Sequence, residues 1–301
     1  TDVALTYVAS IDVALTRAVI WASLWNAVRD GLLDPRRFIV AVLTAVPAET
    51  EPAIRDRLLL FVAEAISSFL PGSLRTDVHD QVLATTIRLS RETEDADAWR
   101  SYTRAFIAEF AARGGDEYEA TVRGFAASDN PDIAWRARRA LAARGLVDAG
   151  AVEAWRSADG SGEAARMSVE ALASLPIEEA RSHAWDSVYS ETLSNDFLTA
   201  TLAGLQASSW DGETGIEAAV DRLRSYWESH TIGMALRYAN GVLAYGLDID
   251  RDGSVERSVG LLRSWLDTNG DAPAQLRRIV IEHLDAFERD ERVQRRWKQD
   301  Q

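Results

Sequence analysis

Apolar residues recur at intervals of three and four positions along almost the whole of this chain. One example is the run Ala18, Val19, Ala22, Leu24, Trp25 and Val28. On a helix, that spacing places the apolar side chains along one face, so each such run predicts a helix with a buried stripe. Turn-forming residues interrupt the runs, for example at 31–35, 71–72, 129–131 and 247–253. Because the segments between them have the ordinary helix length of roughly 10–20 residues, about fourteen antiparallel helices are predicted.

Two of the predicted helices have an explicit start. Asp34 precedes Pro35, and Asn130 precedes Pro131. Proline is well suited to the first helical position, because its missing N–H needs no partner there. The side chain before it can accept a hydrogen bond from the first turn. Helices are therefore predicted to begin at Pro35 and at Pro131.

The order of the predicted helices favours one continuous array. Helix pairs recur at very roughly 35–45 residues without a recognisable consensus. No linker rich in glycine, serine or proline divides the chain. We therefore predict an all-α fold, an α-solenoid in which antiparallel HEAT-like helix pairs form a superhelical array; an orthogonal helical bundle is the alternative. We expect a single helical domain over residues 15–301, after a lead-in over residues 1–14 in which Ala4–Val8 could form a short strand.

Net charge and the absence of cysteine narrow the classes of function. The chain has 47 acidic and 33 basic residues, a formal net charge of −14, so its average field repels nucleic acid and anionic membranes. Because it has no cysteine, disulfides, thiolate zinc sites and cysteine nucleophiles are excluded. No apolar run approaches the ~18 residues of a membrane span. We therefore expect no nucleic-acid or membrane partner, and a cytoplasmic location.

The common catalytic motifs are missing from the sequence. A zincin carries two histidines one turn apart on a helix with a glutamate beside them, whereas the four histidines of this chain are far apart. No phosphate-binding glycine loop occurs, and Gly160–Gly162 lacks the strand and the base of a serine nucleophile elbow. The chain alone is therefore predicted not to be an enzyme, with no catalytic residue, metal ligand or cofactor of its own.

One loop reproduces the first half of an EF-hand calcium loop. Its positions 1, 3 and 5 are Asp248, Asp250 and Asp252, and Gly253 follows at the sharp turn. The twelfth position should hold a bidentate glutamate, but it holds Val259. Aspartate and glycine are also typical of a solvated turn before a helix, so the turn is the favoured interpretation and a calcium site is the alternative.

Two segments contain candidates for contact with a peptide. Trp21, Trp25 and Arg29 are spaced one helical turn apart, a geometry that can stack a guanidinium on an indole or present both groups to a peptide. Arg237 and Tyr238 lie among further aromatic residues, and an arginine with a tyrosine can hold a peptide terminus or carboxylate. The candidate peptide-facing residues are Trp25, Arg29, Arg237 and Tyr238. For each, packing into a core or capping of a helix end is the alternative.

The segment 15–33 carries a family resemblance. It reads LTRAVIWASLWNAVRDGLL, and its pattern R-A-x-x-W-x-x-L-W-x-x-x-R-D-G-x-L resembles the opening helix of the C-terminal helical domain of the zinc aminopeptidase N family. Asn26 stands where that family usually has aspartate. Pro35–Phe38 and Ala48–Glu51 continue the resemblance, and Pro273–Val280 resembles the closing helix of the domain. The resemblance covers essentially the entire chain and is strongest at its two ends.

The resemblance implies a place within a larger enzyme. The family's C-terminal domain is an α-solenoid of HEAT-like helix pairs that forms a bowl over the active site of a separate catalytic domain. The family's zinc motif, distal zinc glutamate and G-x-M-E-N motif are absent from this sequence, so zinc and hydrolysis would belong to an upstream catalytic domain of the same polypeptide. The resemblance thus implies the non-catalytic domain of an aminopeptidase, a chamber and gate for peptide substrates. A free-standing α-solenoid that binds proteins or peptides is the alternative.

Overall fold

The computed structural model of the protein describes residues 1–190, 193–207 and 213–299. These residues form seventeen α-helices and no β-strand. In chain order the helices are α1 (Asp2–Tyr7), α2 (Ala14–Arg29), α3 (Pro35–Ala45), α4 (Pro52–Glu64), α5 (Gly72–Glu92), α6 (Ala96–Arg113), α7 (Asp116–Ala126), α8 (Pro131–Ala143), α9 (Ala149–Asp159), α10 (Gly162–Ala173), α11 (Glu178–Tyr189), α12 (Asn195–Ala207), α13 (Glu213–Asp221), α14 (Leu223–Ser229), α15 (Ile232–Leu243), α16 (Leu261–Thr268) and α17 (Ala274–Gln299). The prediction of an all-α fold is confirmed.

The segment Ala4–Val8, expected to form a short strand, is helical instead. Most of it belongs to α1, and a 3-10 turn over Val8–Ser10 continues it. Val8 is buried, and Ala4 and Leu5 pack against the same core. These three positions share one face of a helix, whereas a strand would point Ala4 and Leu5 to opposite sides. The strand prediction is therefore wrong.

The chain divides into two compact units. Unit 1 comprises Thr1–Glu109, Gly246–Ser258 and Asp285–Gln301. Unit 2 comprises Phe110–Tyr245 and Val259–Leu284. The predicted single domain and its superhelical form stay predictions.

Aromatic side chains fill the centre of unit 1. Trp25 stacks on Phe61, with ring centroids 4.4 Å apart and planes at 14°, and it meets Phe69 at 5.6 Å. Trp21 meets Phe38 edge to face at 5.9 Å. Stacked and edge-to-face arrangements are the favoured geometries of aromatic pairs. This cluster therefore stabilises the packing of α2 against α3 and α4.

The buried face of α2 differs from the predicted stripe by part of a turn. Its buried residues are Arg17, Trp21, Leu24, Trp25 and Val28. Val19 is 57% exposed and Ala22 is also exposed, although both belong to the predicted stripe. Leu15 is exposed as well, so α2 carries apolar residues on more than one side. Periodicity alone selects no single face of such a helix.

Alternate helices of unit 2 pack side by side. α8 packs on α10, α10 on α12, and α12 on α15, while α9 and α11 lie beside α10. Gly204 permits the close approach of α12 to α10, because a Cβ atom there would lie 2.3 Å from the carbonyl oxygen of Glu170. Within unit 2, helices that are close in the chain are therefore neighbours in space, as in stacked helix pairs.

Candidate functional site

Trp25 and Arg29 have different surroundings in unit 1. Trp25 is only 6% exposed and belongs to the aromatic cluster. Arg29, one turn further along α2, is half-buried, and its charge acts on the buried carboxyl group of Asp290. The burial of Trp25 favours the packing alternative for that residue. Arg29 stays a candidate for peptide contact.

Asp290 on α17 is a buried carboxyl group of unit 1. Burial raises the pKa of Asp290 to about 7, and the negative charge of Glu64 acts in the same direction. The charges of Arg289 and Arg29 and a hydrogen bond with Ser68 oppose this rise in pKa. The folded chain therefore resists ionisation of Asp290 near neutral pH.

Replacing Asp290 by asparagine should stabilise the chain at alkaline pH. Because the folded-state pKa lies above the ordinary value of 3.8, the unfolded chain ionises first, and the wild-type chain loses stability as the pH rises from about 4 through about 7. The variant cannot ionise, so we expect its free energy of unfolding to exceed that of the wild type by about 2–4 kcal/mol at pH 8, and by clearly less at pH 5.

Urea unfolding at the two pH values measures this effect. The exposed residue Asp77 supplies a control, since Asp77→Asn removes one carboxylate without changing any buried group. If Asp290→Asn and the wild type lose stability equally between the two pH values, the account of Asp290 is wrong.

A buried ion pair accounts for the arginine that opens the R-A-x-x-W pattern. Arg17 Nε and Nη2 donate to the two carboxylate oxygens of Glu49 at 2.9 and 2.6 Å, and each residue is 7% exposed. Arg17 Nη1 also donates to the carbonyl oxygens of Ile11 and Asp12. Two parallel hydrogen bonds fix the relative geometry of such a pair. The sequence reasoning missed this pair; the resemblance at Ala48–Glu51 was the signal that could have found it.

Tyr238 belongs to a group of stacked rings in unit 2. Its ring lies nearly parallel to that of Tyr226, with centroids 4.0 Å apart, and His230 stacks on Tyr226 at 3.7 Å. Tyr189 meets Tyr238 edge to face at 6.2 Å. The guanidinium of Arg222 lies 4.0 Å from the centre of the Tyr189 ring, a cation–π contact. Tyr238, which the sequence singled out, therefore packs against other aromatic rings.

Tyr238 and Arg237 are not brought together. Tyr238 is 1% exposed, and its hydroxyl donates to the carbonyl oxygen of Ala219 at 2.8 Å. Burial raises the pKa of Tyr238 above its ordinary value and that of Tyr226 to about 12, so both phenols are neutral. Arg237 is exposed, and its Nη1 donates to the carbonyl oxygen of Gly233 at 3.0 Å. Packing is favoured for Tyr238, and Arg237 stays a candidate for peptide contact.

The loop that resembles a calcium site caps α5 within unit 1. Asp248 Oδ1 accepts hydrogen bonds from the backbone N–H groups of Gly72 at 2.9 Å and Asp250 at 3.0 Å. Asp250 Oδ2 accepts from the backbone N–H of Ser73 at 2.8 Å, and Lys298 contacts its Oδ1. Burial raises the pKa of Asp250, but the bonds from Lys298 and Ser73 outweigh it and lower that pKa to about 2. Both carboxylates thus satisfy the start of a helix, which favours the turn interpretation.

The described part of the chain holds no group of three or more histidine, aspartate or glutamate residues that could bind a metal ion. None of the helices in that part combines the length and the apolar character needed to cross a membrane.

The regular structure of the described residues is helical, and the helix that carries the R-A-x-x-W pattern packs into the core of unit 1. The model of the ERAP1-like C-terminal domain matches residues 4–289. The chain therefore belongs to the ERAP1-like C-terminal domain family, which confirms the resemblance seen in the sequence. It is 27% identical, over 296 residues, to aminopeptidase N from Streptomyces lividans. The alignment covers 93% of this chain and 33% of that relative, so the chain spans about a third of the relative's length.

Proposed function

We propose that this chain is the non-catalytic C-terminal part of a zinc-dependent aminopeptidase, where it forms a chamber and gate for peptide substrates. The proposal rests on the family match over residues 4–289, with the similarity to an aminopeptidase N of which the chain spans about a third. Zinc and hydrolysis then belong to an upstream catalytic domain of the same polypeptide. That domain and the peptides are the partners of this chain, and the enzyme works in the cytoplasm.

A helical chamber contributes to peptide hydrolysis by selection. Walls around an active site exclude bulk water and limit which peptides reach the reacting groups. The net charge of −14 attracts the protonated amino terminus of a peptide. Arg29 and Arg237 are the residues that we propose to face the peptide, because both are basic and neither is fully buried.

An exposed apolar surface of unit 1 supports attachment to a preceding domain. Val3 and Tyr7 of α1 are 73% and 60% exposed, and Val40 of α3 is 48% exposed. A groove of about 620 Å³ lies between α1 and α3, with Leu5 and Val40 in its wall. Removing such a surface from water contributes about 25 cal/mol per Å². A domain that precedes α1 would be well placed to cover it.

The test compares hydrolysis of aminoacyl-p-nitroanilides by two proteins, both with added zinc. One is the 301-residue chain, and the other is the same chain extended upstream through a domain that carries an H-E-x-x-H motif. We expect hydrolysis by the extended protein only. Inactivity of both would favour a free-standing binding scaffold. Hydrolysis by the 301-residue chain after stringent purification would contradict the non-catalytic assignment.

A further inference from the structure

A cleft in unit 2, lined by residues of α10, α11 and α12, has no part in the function proposed above. Its volume is about 450 Å³, within the range of roughly 300–1,000 Å³ that is typical of small-ligand sites. Apolar side chains form most of its wall. They include Leu172, Ala173, Leu175, Ala180 and Ala184. The cleft can therefore hold a compact apolar group.

Polar side chains of the cleft determine which hydrogen-bonding groups of a ligand fit it. Glu179, His183 and Ser187 of α11 line it at four-residue spacing, so they follow one face of the helix. Ser187 Oγ donates its proton to the carbonyl oxygen of His183 at 2.9 Å. Thr201 Oγ1, also in the wall and 2% exposed, donates to the carbonyl oxygen of Phe197 at 2.8 Å. With its proton directed to a backbone carbonyl, each hydroxyl oxygen keeps lone pairs that can accept a hydrogen bond from a ligand.

The charge of the wall points to the same kind of ligand. Glu179 is the one carboxylate among the described lining residues, and the ring of His183 can donate or accept a hydrogen bond. No arginine or lysine belongs to the described part of the wall. A ligand that matches these groups donates hydrogen bonds and carries a positive charge, whereas a carboxylate near Glu179 would be repelled.

We propose that this cleft binds a primary ammonium group attached to a branched apolar side chain, without a nearby carboxylate. The apolar side chain lies against the alanine and leucine wall. The ammonium group donates to the Glu179 carboxylate. The amino-terminal residue of a peptide and a free aliphatic amine share this chemistry. The cleft lies within unit 2, so binding to it can be tested independently of the hydrolysis assay.

The test titrates the complete chain with leucinamide and follows the methyl NMR signals of Ala173, Ala180 and Ala184. We expect these signals to shift. N-acetylleucinamide, which has no ammonium group, should bind at least about tenfold more weakly. Glu179→Gln should weaken leucinamide binding to a similar extent. Glu178→Gln is the matched control, because Glu178 adjoins Glu179 but does not line the cleft.

A second variant protects the test against an effect on folding. Ala180→Leu fills the cleft from a partly exposed position, and it should prevent binding at an unchanged melting temperature. Equal binding of leucinamide and N-acetylleucinamide, unchanged binding by Glu179→Gln, or no methyl shifts up to the solubility limit would each overturn the proposal. Binding of 3-methylbutylamine as tight as that of leucinamide supports it with a free amine as the ligand. Preference for leucinamide and for the peptide Leu-Gly-Gly supports it with a peptide amino terminus as the ligand.

Discussion

Replacing Glu49 by alanine should lower the free energy of unfolding of this chain by about 3–5 kcal/mol. The substitution leaves the guanidinium of Arg17, a residue only 7% exposed, without the carboxylate that receives two of its hydrogen bonds. Breaking a buried pair is costly because the remaining charge stays desolvated and uncompensated. Urea unfolding at neutral pH, followed by tryptophan fluorescence, measures the loss.

Two controls separate the burial of a charge from the loss of a side chain. The double variant Arg17→Met/Glu49→Leu should regain most of the stability, since it leaves no unpaired charge in the core. Glu92→Ala removes an exposed ion pair with Arg88 on α5 and should cost less than about 1 kcal/mol. Equal losses for Glu49→Ala and Glu92→Ala would show that burial of the pair is not the source of the effect.

The same pair makes stability depend on acidic pH. Burial tends to raise the pKa of Glu49, but the hydrogen bonds from Arg17 and from the backbone N–H of Glu51 outweigh it and hold that pKa below its ordinary value of 4.5. The stabilisation is therefore complete above that ordinary value, and it is lost as the pH falls through the lower pKa of the folded chain. The difference between Glu49→Ala and the wild type should shrink on acidification.

Replacing Trp25 by alanine should cost about 3–5 kcal/mol of unfolding free energy. Three rings surround the indole, with centroids at 5.7 Å for Phe38, 4.4 Å for Phe61 and 5.6 Å for Phe69. Removing the indole leaves a cavity that the neighbouring helices fill only in part. Leu15→Ala on the same helix is the control; because Leu15 is 74% exposed, its loss should stay within about 0.5 kcal/mol. Unchanged stability of Trp25→Ala would instead make Trp25 a surface residue and restore it as a peptide-facing candidate.

Local sequence signals predicted the helix starts well. α3 begins at Pro35 and α8 at Pro131, as expected. Asp34 accepts a hydrogen bond from the backbone of Arg36 at 2.8 Å, and Asn130 accepts one from the backbone of Ile133 at 3.3 Å. Such caps need only residues within the first turn, so the order of residues is sufficient to predict them.

The candidate site was harder to predict from sequence. Trp25 and Tyr238 are large amphipathic side chains, which suit a core and a binding surface equally well before their neighbours are known. Burial places both in cores, while Arg29 and Arg237 stay accessible. The cleft along α11 gave no sequence signal, because its wall combines residues from separate helices.

The amino-acid sequence by itself determined the helical class of this protein, several helix starts and its family, because periodicity, capping and motif patterns depend on residues close together in the chain. The tertiary structure alone decided which side of α2 is buried and which partner each buried charge meets. Arg17 finds Glu49 across 32 positions, and Asp248 caps α5 at Gly72 across 176 positions. Such pairings depend on how the helices pack. The sequence alone does not select which arginine or backbone N–H group a given carboxylate contacts.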